Sequence, residues 1–506
     1  MGRRRRQAAA SGTVKPAILA VDQGTTSTRA VVFDESGMPV GSAQEEFARH
    51  YPRDGWVEQD PEDLWRTTVN TCTAAIDKAA ASGFQPVAMG ITNQRETVVL
   101  WERASGRPLA HAIVWQDRRT AKTCLTLRDS GHADDVAERT GLLLDPYFSA
   151  TKIAWLLDNI PGARARAHAG ELAVGTVDSF LMWRLTEGER HVTDATNASR
   201  TSLYNIHQQE WDSELLRLFD VPEALLPEVL DCNGEFGVAR IGDQRLPILG
   251  VAGDQQAATI GQCCFTPGSI KSTYGTGCFV MLNTGDEPVV SQHRLLTTIA
   301  YRIDGRTTYA LEGSIFTAGA AVQWLRDSMK LVDNAAETEG MAASVPDNHG
   351  VYLVPAFTGL GAPHWDPDAR GMVCGLTMDA GREHLVRAAL ESVVYQTHDL
   401  FAAMAQDGIR PHHVRVDGGM VHNTWLCQFL SDILDVEVER PKIMETTVLG
   451  AASLAGMKQG LYPEFPELGN RWQEDSHYRP RIDASERETL LSGWNDAVRR
   501  ALSHPA

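Results

Sequence analysis

Three short polar loops each follow a strand-like run of this chain, two of them leading into another strand and the third into a helix, and their order along the sequence restricts the fold more than any other feature. The loops are 22–29 (DQGTTSTR), 273–277 (TYGTG) and 416–419 (VDGG). Small residues let the backbone approach an anion closely, while hydroxyls and N–H groups can donate to phosphoryl oxygens. The chain contains neither G-x-x-x-x-G-K-[ST] nor G-x-G-x-x-G, so a phosphate site would be built without these motifs. A polar turn that binds nothing is the alternative for each loop taken alone.

The loops fall into two halves of similar pattern within the 506 residues. Each half has strand, polar loop and strand, and each contains a segment with helical periodicity, at 61–81 and at 383–406. The length alone predicts at least two domains, at about 100–200 residues each. We therefore expect two α/β domains with a cleft between them, at 17–262 and 263–506, after a basic disordered extension at 1–16.

Composition and charge exclude several classes of protein. With 43% hydrophobic and 22% charged residues, the chain suits a packed core. Its 47 Lys+Arg and 65 Asp+Glu give a net charge of −18, so neither nucleic acid nor an acidic membrane is expected as a partner. The sequence shows no apolar run of about 18 residues and no secretory signal. The eight cysteines form no Cys-x-x-Cys pair, so the sequence indicates neither a zinc site nor a redox framework. We expect the protein in the reducing cytoplasm.

Two aspartates stand where a buried strand is expected to end. Asp254 follows the strand-like run 247–253 and precedes a helical run. It could be a helix N-cap, or a general base whose ionised form is favoured by the helix N-terminus. Asp22 closes the first strand, a position from which a carboxylate can hold hydrated Mg²⁺.

An arginine and a glutamate, Arg95 and Glu96, lie between the strand-like runs 87–93 and 97–103. Adjacent side chains point to opposite faces of a regular strand, whereas in a turn both can face one pocket. Such charged groups beside an apolar wall suit a small, very polar substrate. The alternative is an exposed ion pair at the tip of a hairpin.

The ordered motifs carry a family resemblance from about residue 17 to the C-terminus. The chain resembles the FGGY carbohydrate kinases, within the actin, Hsp70 and hexokinase-like ATPase superfamily. The resemblance implies an α/β fold of two ribonuclease H-like (actin-like ATPase) domains with an interdomain active-site cleft. The block 93–96 (NQRE) resembles members that act on glycerol, since pentulose kinases carry different residues there. The matching stretches are VDQGTTSTRAVVFD, GWVEQDPEDLW, GITNQRETVVLWE, AIVWQDRRT, LLLDPYFSATKIAWLLDN, GTVDSFLMWRLT, TDATNASRT, GVAGDQQAATIGQ, TYGTGCFVMLNTG, YALEGSIFTAGAAVQWLRD, VPAFTGLGAPHWDPDARG, RAALESVVYQT and VDGGMVHN.

This resemblance implies the ATP-dependent phosphorylation of glycerol to sn-glycerol 3-phosphate with release of ADP, a step of glycerol catabolism. It further implies Mg²⁺ as cofactor, held by Asp22, a catalytic general base at Asp254, and a homo-oligomer, either dimer or tetramer. The residues implied to bind the polyol are Arg95, Glu96, Trp115, Tyr147, Asp254, Gln255 and Phe279. Those implied to bind the nucleotide are Thr25, Thr26, Ser27, Arg29, Thr276, Gly319, Gln323, Gly419 and Asn423.

Alternatives stay open for several of these residues and for the function. Trp115 and Phe279 could be core residues, and Tyr147 could pack at a helix entry. Gly319 could allow close helix packing, and Asn423 could cap a helix. The chain could also be an FGGY kinase for a pentulose or erythritol. An actin- or Hsp70-like ATPase whose output is partner binding is a further alternative, although the sequence indicates no appended binding module.

Overall fold

A computed structural model describes residues 14–503 of the chain. The predicted extension at 1–16 lies outside the described residues except for its last three positions, and the first strand already begins at Lys15. Within 14–503, no helix is both long enough and apolar enough to cross a membrane.

The first half of the chain contains a run of strands interrupted by helices. In chain order the strands are β1 (Lys15–Gln23), β2 (Ser27–Phe33), β3 (Pro39–Glu46), β4 (Glu58–Gln59), β5 (Phe84–Asn93), β6 (Val98–Glu102), β7 (Ala112–Ile113), β8 (Leu172–Thr176), β9 (Val192–Asp194), β10 (Tyr204–Asn205), β11 (Glu210–Trp211), β12 (Glu228–Leu230), β13 (Gly237–Ile241) and β14 (Gln244–Gly253). The helices are α1 (Pro61–Ala81), α2 (Ala121–Asp129), α3 (Ala133–Thr140), α4 (Ser149–Asn159), α5 (Ala163–His168), α6 (Val177–Leu185), α7 (Ala195–Ala198), α8 (Ser213–Leu218) and α9 (Asp254–Gly261), with a 3₁₀ turn at Glu223–Leu225.

The second half has fewer strands and longer helices. The strands are β15 (Ile270–Tyr274), β16 (Cys278–Gly285), β17 (Leu296–Ile303), β18 (Arg306–Ile315), β19 (Tyr352–Val354), β20 (Met372–Cys374), β21 (His413–Asp417), β22 (Glu437–Pro441) and β23 (Glu474–Tyr478). The helices are α10 (Gly319–Asp327), α11 (Glu337–Ala343), α12 (Arg382–Gln406), α13 (Thr424–Leu434), α14 (Thr446–Gln459), α15 (Phe465–Leu468) and α16 (Ala484–Ala501), with 3₁₀ turns at Gly419–His422 and Gly469–Arg471.

The two large sheets share the arrangement of their central strands. The first has the order β13-β14-β5-β1-β2-β3 and the second β17-β18-β16-β15-β21-β22-β23. In each sheet, the strand that comes first along the chain, β1 or β15, forms an antiparallel hairpin with the strand that follows it, β2 or β16. On the side away from the hairpin, β1 is bordered by the parallel strands β5 and β14, and β15 by the parallel strands β21 and β22. This repeated arrangement confirms the predicted pair of ribonuclease H-like domains, and both hairpin loops are the polar loops singled out in the sequence.

Local sequence explains where the predicted helices begin. The helix predicted at 61–81 is α1, where Pro61 stands at the first position and the Asp60 side chain accepts the backbone N–H of Glu62. The helix predicted at 383–406 is α12, which is buried along most of its length. Both predictions are confirmed.

The first strand is apolar from Ala17 to Val21, where helices cover both faces of its sheet. Leu19 and Val21 pack in a cluster with α1, which contributes Cys72 and Ala75. The alternate residues of β1, among them Ile18, pack instead against α14. Helix α14 belongs to the second half of the sequence, so a cut at residue 262 does not separate the two hydrophobic cores.

Helices α9 and α14 lie together between the two large sheets. Ala257 of α9 and Leu454 of α14 share a cluster with Met281 of the second sheet. The two helices meet backbone to backbone, since a Cβ on Gly450 would lie 1.8 Å from the carbonyl oxygen of Ala257. This close contact joins the first domain to the second.

We expect Gly450→Ala to destabilise the protein. The added methyl group has no room against the α9 backbone, and overpacking of this kind lowers the free energy of unfolding by about 1–3 kcal/mol. Gly340→Ala is the matched control, because Gly340 also lies in a helix but has nothing within 4 Å of its added Cβ. Thermal melting of both variants checks this. A Gly450→Ala melting temperature equal to or above that of wild type would contradict the close contact.

Candidate active site

The segment 94–97 carries the chain from one sheet to another. Strand β5 belongs to the first large sheet, whereas β6 belongs to the sheet β4-β7-β6-β8. The turn is therefore buried between them: Arg95 is 2% exposed and Glu96 1%. Glu96 has a φ of 60°, so the side chains of Arg95 and Glu96 do not alternate between opposite faces as they would in a regular strand. The alternative of an exposed ion pair at a hairpin tip is excluded.

Arg95 is held from several directions. Its terminal nitrogens donate to the two carboxylate oxygens of Glu312 at 2.6 and 3.0 Å. They also donate to Gln256 Oε1 and to Tyr147 Oη, each at 3.3 Å. Arg95 Nε lies 3.2 Å from Asp254 Oδ1. The predicted polyol-binding arginine and the predicted general base are thus direct neighbours.

Asp254 begins helix α9, with Gly253 as the N-cap. The cap role considered for Asp254 is therefore not the one observed. Asp254 Oδ1 accepts the backbone N–H of Gln255 at 2.7 Å, and the side chain is 29% exposed. Burial raises the pKa of Asp254, while Arg95 and Lys271 lower it. The carboxylate has both an accessible surface and cations beside it.

Gln255 is tied to a buried lysine. Lys271 Nζ donates to Gln255 Oε1 at 2.5 Å, to Thr273 Oγ1 at 3.0 Å and to the Phe279 carbonyl at 3.3 Å. Burial lowers the pKa of Lys271, and Asp417 is the chief group that opposes this. The amide oxygen of Gln255 therefore already accepts a hydrogen bond from Lys271.

Three aromatic rings form an apolar wall beside Arg95. Trp115 meets Tyr147 and Phe279 edge to face, with centroid distances of 5.7 and 5.9 Å. The Arg95 guanidinium lies 5.8 Å from the Phe279 ring centre. Trp115 Nε1 donates to Thr25 Oγ1 at 3.0 Å. The wall therefore contacts the first polar loop directly.

The first polar loop joins β1 to β2, and Asp22 lies opposite Arg29 across this hairpin. Thr26 is exposed, and Thr25 and Ser27 are partly exposed. Arg29 forms an ion pair with Glu445. The pKa of Asp22 is raised to about 7, first by burial and then by Asp254 and Glu445. A carboxylate oxygen is a ligand that suits a hard divalent cation, and Asp22 supplies one at the base of the first polar loop.

The remaining predicted nucleotide residues line one cavity of about 410 Å³ in the second domain, a volume typical of small-ligand sites. The predicted residues it brings together are Thr276, Gly319, Gln323, Gly419 and Asn423. Apolar side chains also line it, namely Val322, Leu390 and Met420. The cavity thus offers an apolar surface for a flat ring next to glycine backbone.

Two of these positions have structural roles as well. Asn423 accepts the backbone N–H of Leu426 at 2.9 Å as the N-cap of α13. The Gly319 N–H donates to the Gly275 carbonyl at 2.9 Å, and a Cβ on Gly319 would lie 2.6 Å from that oxygen. Asn423 therefore caps a helix and Gly319 allows a close backbone approach, as the alternatives for these residues predicted. Both residues also line the cavity.

Sequence reasoning missed several charged residues that complete the site. Arg200 Nε donates to Glu96 Oε1 at 2.7 Å, and Glu312 accepts from both Arg95 and Arg200. Lys271 and Glu445 were missed as well. A signal existed for Glu312, because it directly follows the apolar pair Ala310 and Leu311 within a strand-like run, where a buried charge requires a partner.

Comparison with known proteins identifies the family. Residues 17–261 match the N-terminal domain of the FGGY family of carbohydrate kinases, and residues 270–458 match its C-terminal domain. The chain belongs to the FGGY family of carbohydrate kinases. The first match spans every strand of the first large sheet except the start of β1, whereas the second match ends before β23 of the second sheet and includes all but the last residue of α14, which packs on the first sheet.

Among FGGY proteins, several glycerol kinases are similar over nearly the whole chain. The glycerol kinase of Rhodospirillum centenum is 63% identical over 491 residues, which cover 97% of this chain and 99% of that protein. Glycerol kinase 1 of Pseudomonas aeruginosa is 57% identical over 488 residues, covering 96% and 99%. The crystal structure of Plasmodium falciparum glycerol kinase with ADP superposes with a TM-score of 0.89 at 36% identity, covering 97% and 99%.

We expect Gly319→Ala to weaken binding of ADP by about tenfold or more, because the added Cβ would push the α10 N-terminus away from the Gly275 loop and distort the cavity. Gly41→Ala is the control, since its Cβ would lie 2.5 Å from the Ala75 carbonyl in the first domain, a clash of similar severity. Calorimetric titration with ADP and thermal melting measure both variants. Equal ADP affinities in the two variants would remove Gly319 from the nucleotide cavity.

Proposed function

We propose that this chain phosphorylates glycerol with ATP to give sn-glycerol 3-phosphate and ADP. The observation that carries the proposal is the direct contact between buried Arg95 and Asp254, beside an aromatic wall that also contacts the first polar loop. Charged groups that can bind several hydroxyls are thus adjacent to a carboxylate that can take a proton and to a loop suited to phosphate.

The proposed roles divide between the two domains. In the domain at 17–262, Arg95 and Glu96 bind glycerol hydroxyls, with Tyr147 and Gln255. Trp115 of the same domain and Phe279 of the second domain border the carbon chain. In the domain at 263–506, the cavity binds the nucleotide through Thr276, Gly319, Gln323, Gly419 and Asn423. The first loop binds phosphates through Thr25, Thr26, Ser27 and Arg29.

The proposed reaction is an in-line phosphoryl transfer. Asp254 accepts the proton of a terminal glycerol hydroxyl while that oxygen attacks the γ-phosphorus of ATP, and the bond from this phosphorus to the β,γ-bridging oxygen breaks to release ADP. Burial raises the pKa of Asp254, and Arg95 beside it opposes this by favouring the ionised form that a general base requires. The cleft between the domains would exclude water from the reaction.

Asp22 would hold Mg²⁺, which when bound neutralises charge on the phosphates and helps to orient them. Asp22 ends β1 opposite Arg29 of the first polar loop, which places its carboxylate group beside the residues proposed to bind the phosphates. By resemblance to the family we also propose a cytoplasmic homo-oligomer, either dimer or tetramer, without a nucleic acid or membrane partner.

A substrate panel tests the proposed function. Coupled detection of ADP with glycerol, a pentulose, erythritol and no polyol should give turnover that depends on glycerol. Turnover with a pentulose or erythritol in place of glycerol would identify a different FGGY substrate. ATP hydrolysis without polyol, at a rate set by a protein partner, would support the ATPase alternative.

We expect Asp254→Asn to lower kcat by about 10²–10⁴, because an amide cannot accept the proton at neutral pH. The amide oxygen can still accept from Arg95 and from the Gln255 N–H, so the fold should be retained. Turnover, ADP affinity and thermal melting are measured on one preparation. A stable variant with more than about a tenth of wild-type turnover would remove Asp254 from the mechanism, given the range for a general base.

Asp22→Asn should raise the Mg²⁺ concentration needed for half-maximal turnover, on the order of 10–100-fold, because the cation loses an anionic ligand. Asp243→Asn is the control, since Asp243 is an exposed carboxylate at the β13–β14 turn. Mg²⁺ titrations at saturating ATP and glycerol make the comparison. An unchanged Mg²⁺ requirement in Asp22→Asn would assign the cation to other groups.

A further inference from the structure

Four buried charged side chains form a closed ring next to the proposed glycerol site. Glu312 accepts two hydrogen bonds from Arg95, at 2.6 and 3.0 Å, and one from Arg200, at 2.9 Å. Arg200 also donates to Glu96 at 2.7 Å, and Glu96 lies 3.8 Å from Arg95 Nε, which closes the ring. Each of the four side chains is at most 2% exposed.

The ring joins the two domains. Arg95, Glu96 and Arg200 come from the first domain, whereas Glu312 comes from β18 in the second. Burial by itself would raise the pKa of Glu312, but Arg200 and Arg95 hold it at about 2. Glu312 is therefore an ionised carboxylate that the second domain inserts between two arginines of the first.

This carboxylate sets the orientation of Arg95. Because both terminal nitrogens of Arg95 bind Glu312, the plane of the guanidinium is fixed by the two carboxylate oxygens. The other contacts of those nitrogens, to Tyr147 and Gln256, are longer, at 3.3 Å. These longer contacts are the ones that a substrate hydroxyl could replace without disturbing the contact with Glu312.

Glu96 is oriented by the same carboxylate through Arg200. The Oε1 atom of Glu96 accepts from Arg200 Nε, while the Nη2 atom of Arg200 is bound to Glu312. The Arg200 guanidinium is also packed between rings, 5.3 Å from the centre of Phe148 and 5.7 Å from that of Tyr147. With one oxygen of Glu96 held in this way, the direction of the other is set as well.

We propose that Glu312 is a positioning residue for the polyol: it fixes Arg95 directly and Glu96 through Arg200, so that the second domain completes a binding site whose contact residues lie mainly in the first. The inference rests on the proposed function of Arg95 and Glu96. If the ring served only to hold the domains together, its loss would lower stability and would not act selectively on glycerol.

The test compares two buried glutamates of the second domain in the full-length protein. Glu312→Gln keeps the shape of the side chain and removes its charge. Glu391→Gln is the matched control, because Glu391 is also fully buried and is paired with an arginine, Arg387, at 2.7 Å, but in a different part of the domain. Steady-state kinetics in glycerol and in ATP, calorimetric titration with glycerol, and thermal melting are measured for both variants.

We expect both variants to melt at lower temperature than wild type, and only Glu312→Gln to change glycerol recognition. Its KM for glycerol should rise about 10- to 100-fold, with the KM for ATP within about twofold, because misplaced contact groups weaken binding at one substrate only. Glu312→Gln with an unchanged glycerol KM, or with the two KM values raised equally, would overturn the inference.

A second variant covers the case in which Glu312→Gln fails to fold. Arg200→Lys keeps the charge but lacks the planar fork that reaches Glu96 and Glu312 together. It should raise the glycerol KM selectively, and an unchanged value would overturn the inference. Wild type measured in the same assay separates failure of the proposed function from failure of the positioning role of Glu312. Wild type without glycerol-dependent turnover overturns the proposed function and this inference together, whereas active wild type with unaffected variants overturns this inference alone.

Discussion

The backbone contact between α9 and α14 is the constraint on which the rest of the arrangement depends. Both helices lie between the two large sheets, and Gly450 allows them to meet without intervening side chains. Helix α9 begins at Asp254, so this contact also fixes the position of the central carboxylate relative to both domains. A side chain at position 450 would separate α9 from α14 and so move Asp254 away from the loops that border it.

Charge pairing is the second feature that organises the site. Arg95, Arg200 and Lys271 are all buried, and each faces a carboxylate or a polar oxygen. Buried charges are tolerated when they are paired and hydrogen-bonded. The pairing keeps Glu312 ionised, whereas at Asp22 burial, and after it the neighbouring carboxylates, raise the pKa. One small region thus contains carboxylates with opposite tendencies to hold a proton.

Sequence reasoning predicted the fold well because its signals are local. The hairpins around 22–29 and 273–277 and the helix α1 follow from apolar spacing, turn residues and acidic residues in the first helical turn, which act over a few residues. The residues that line the cavity of the second domain were singled out through a family resemblance. Arg200 and Glu312 were missed because their function depends on partners more than one hundred residues away. The packing of α14 on the first sheet was missed for the same reason.

The position of α14 has a consequence for synthesis of the protein. One face of β1 and β2, including Ile18, Val31 and Phe33, is covered by a helix that begins only at Thr446. The ribosome makes the strands early and the covering helix near the end. The nascent chain must therefore keep this apolar face shielded by other means until most of translation is complete, and the N-terminal domain reaches its final fold only afterwards.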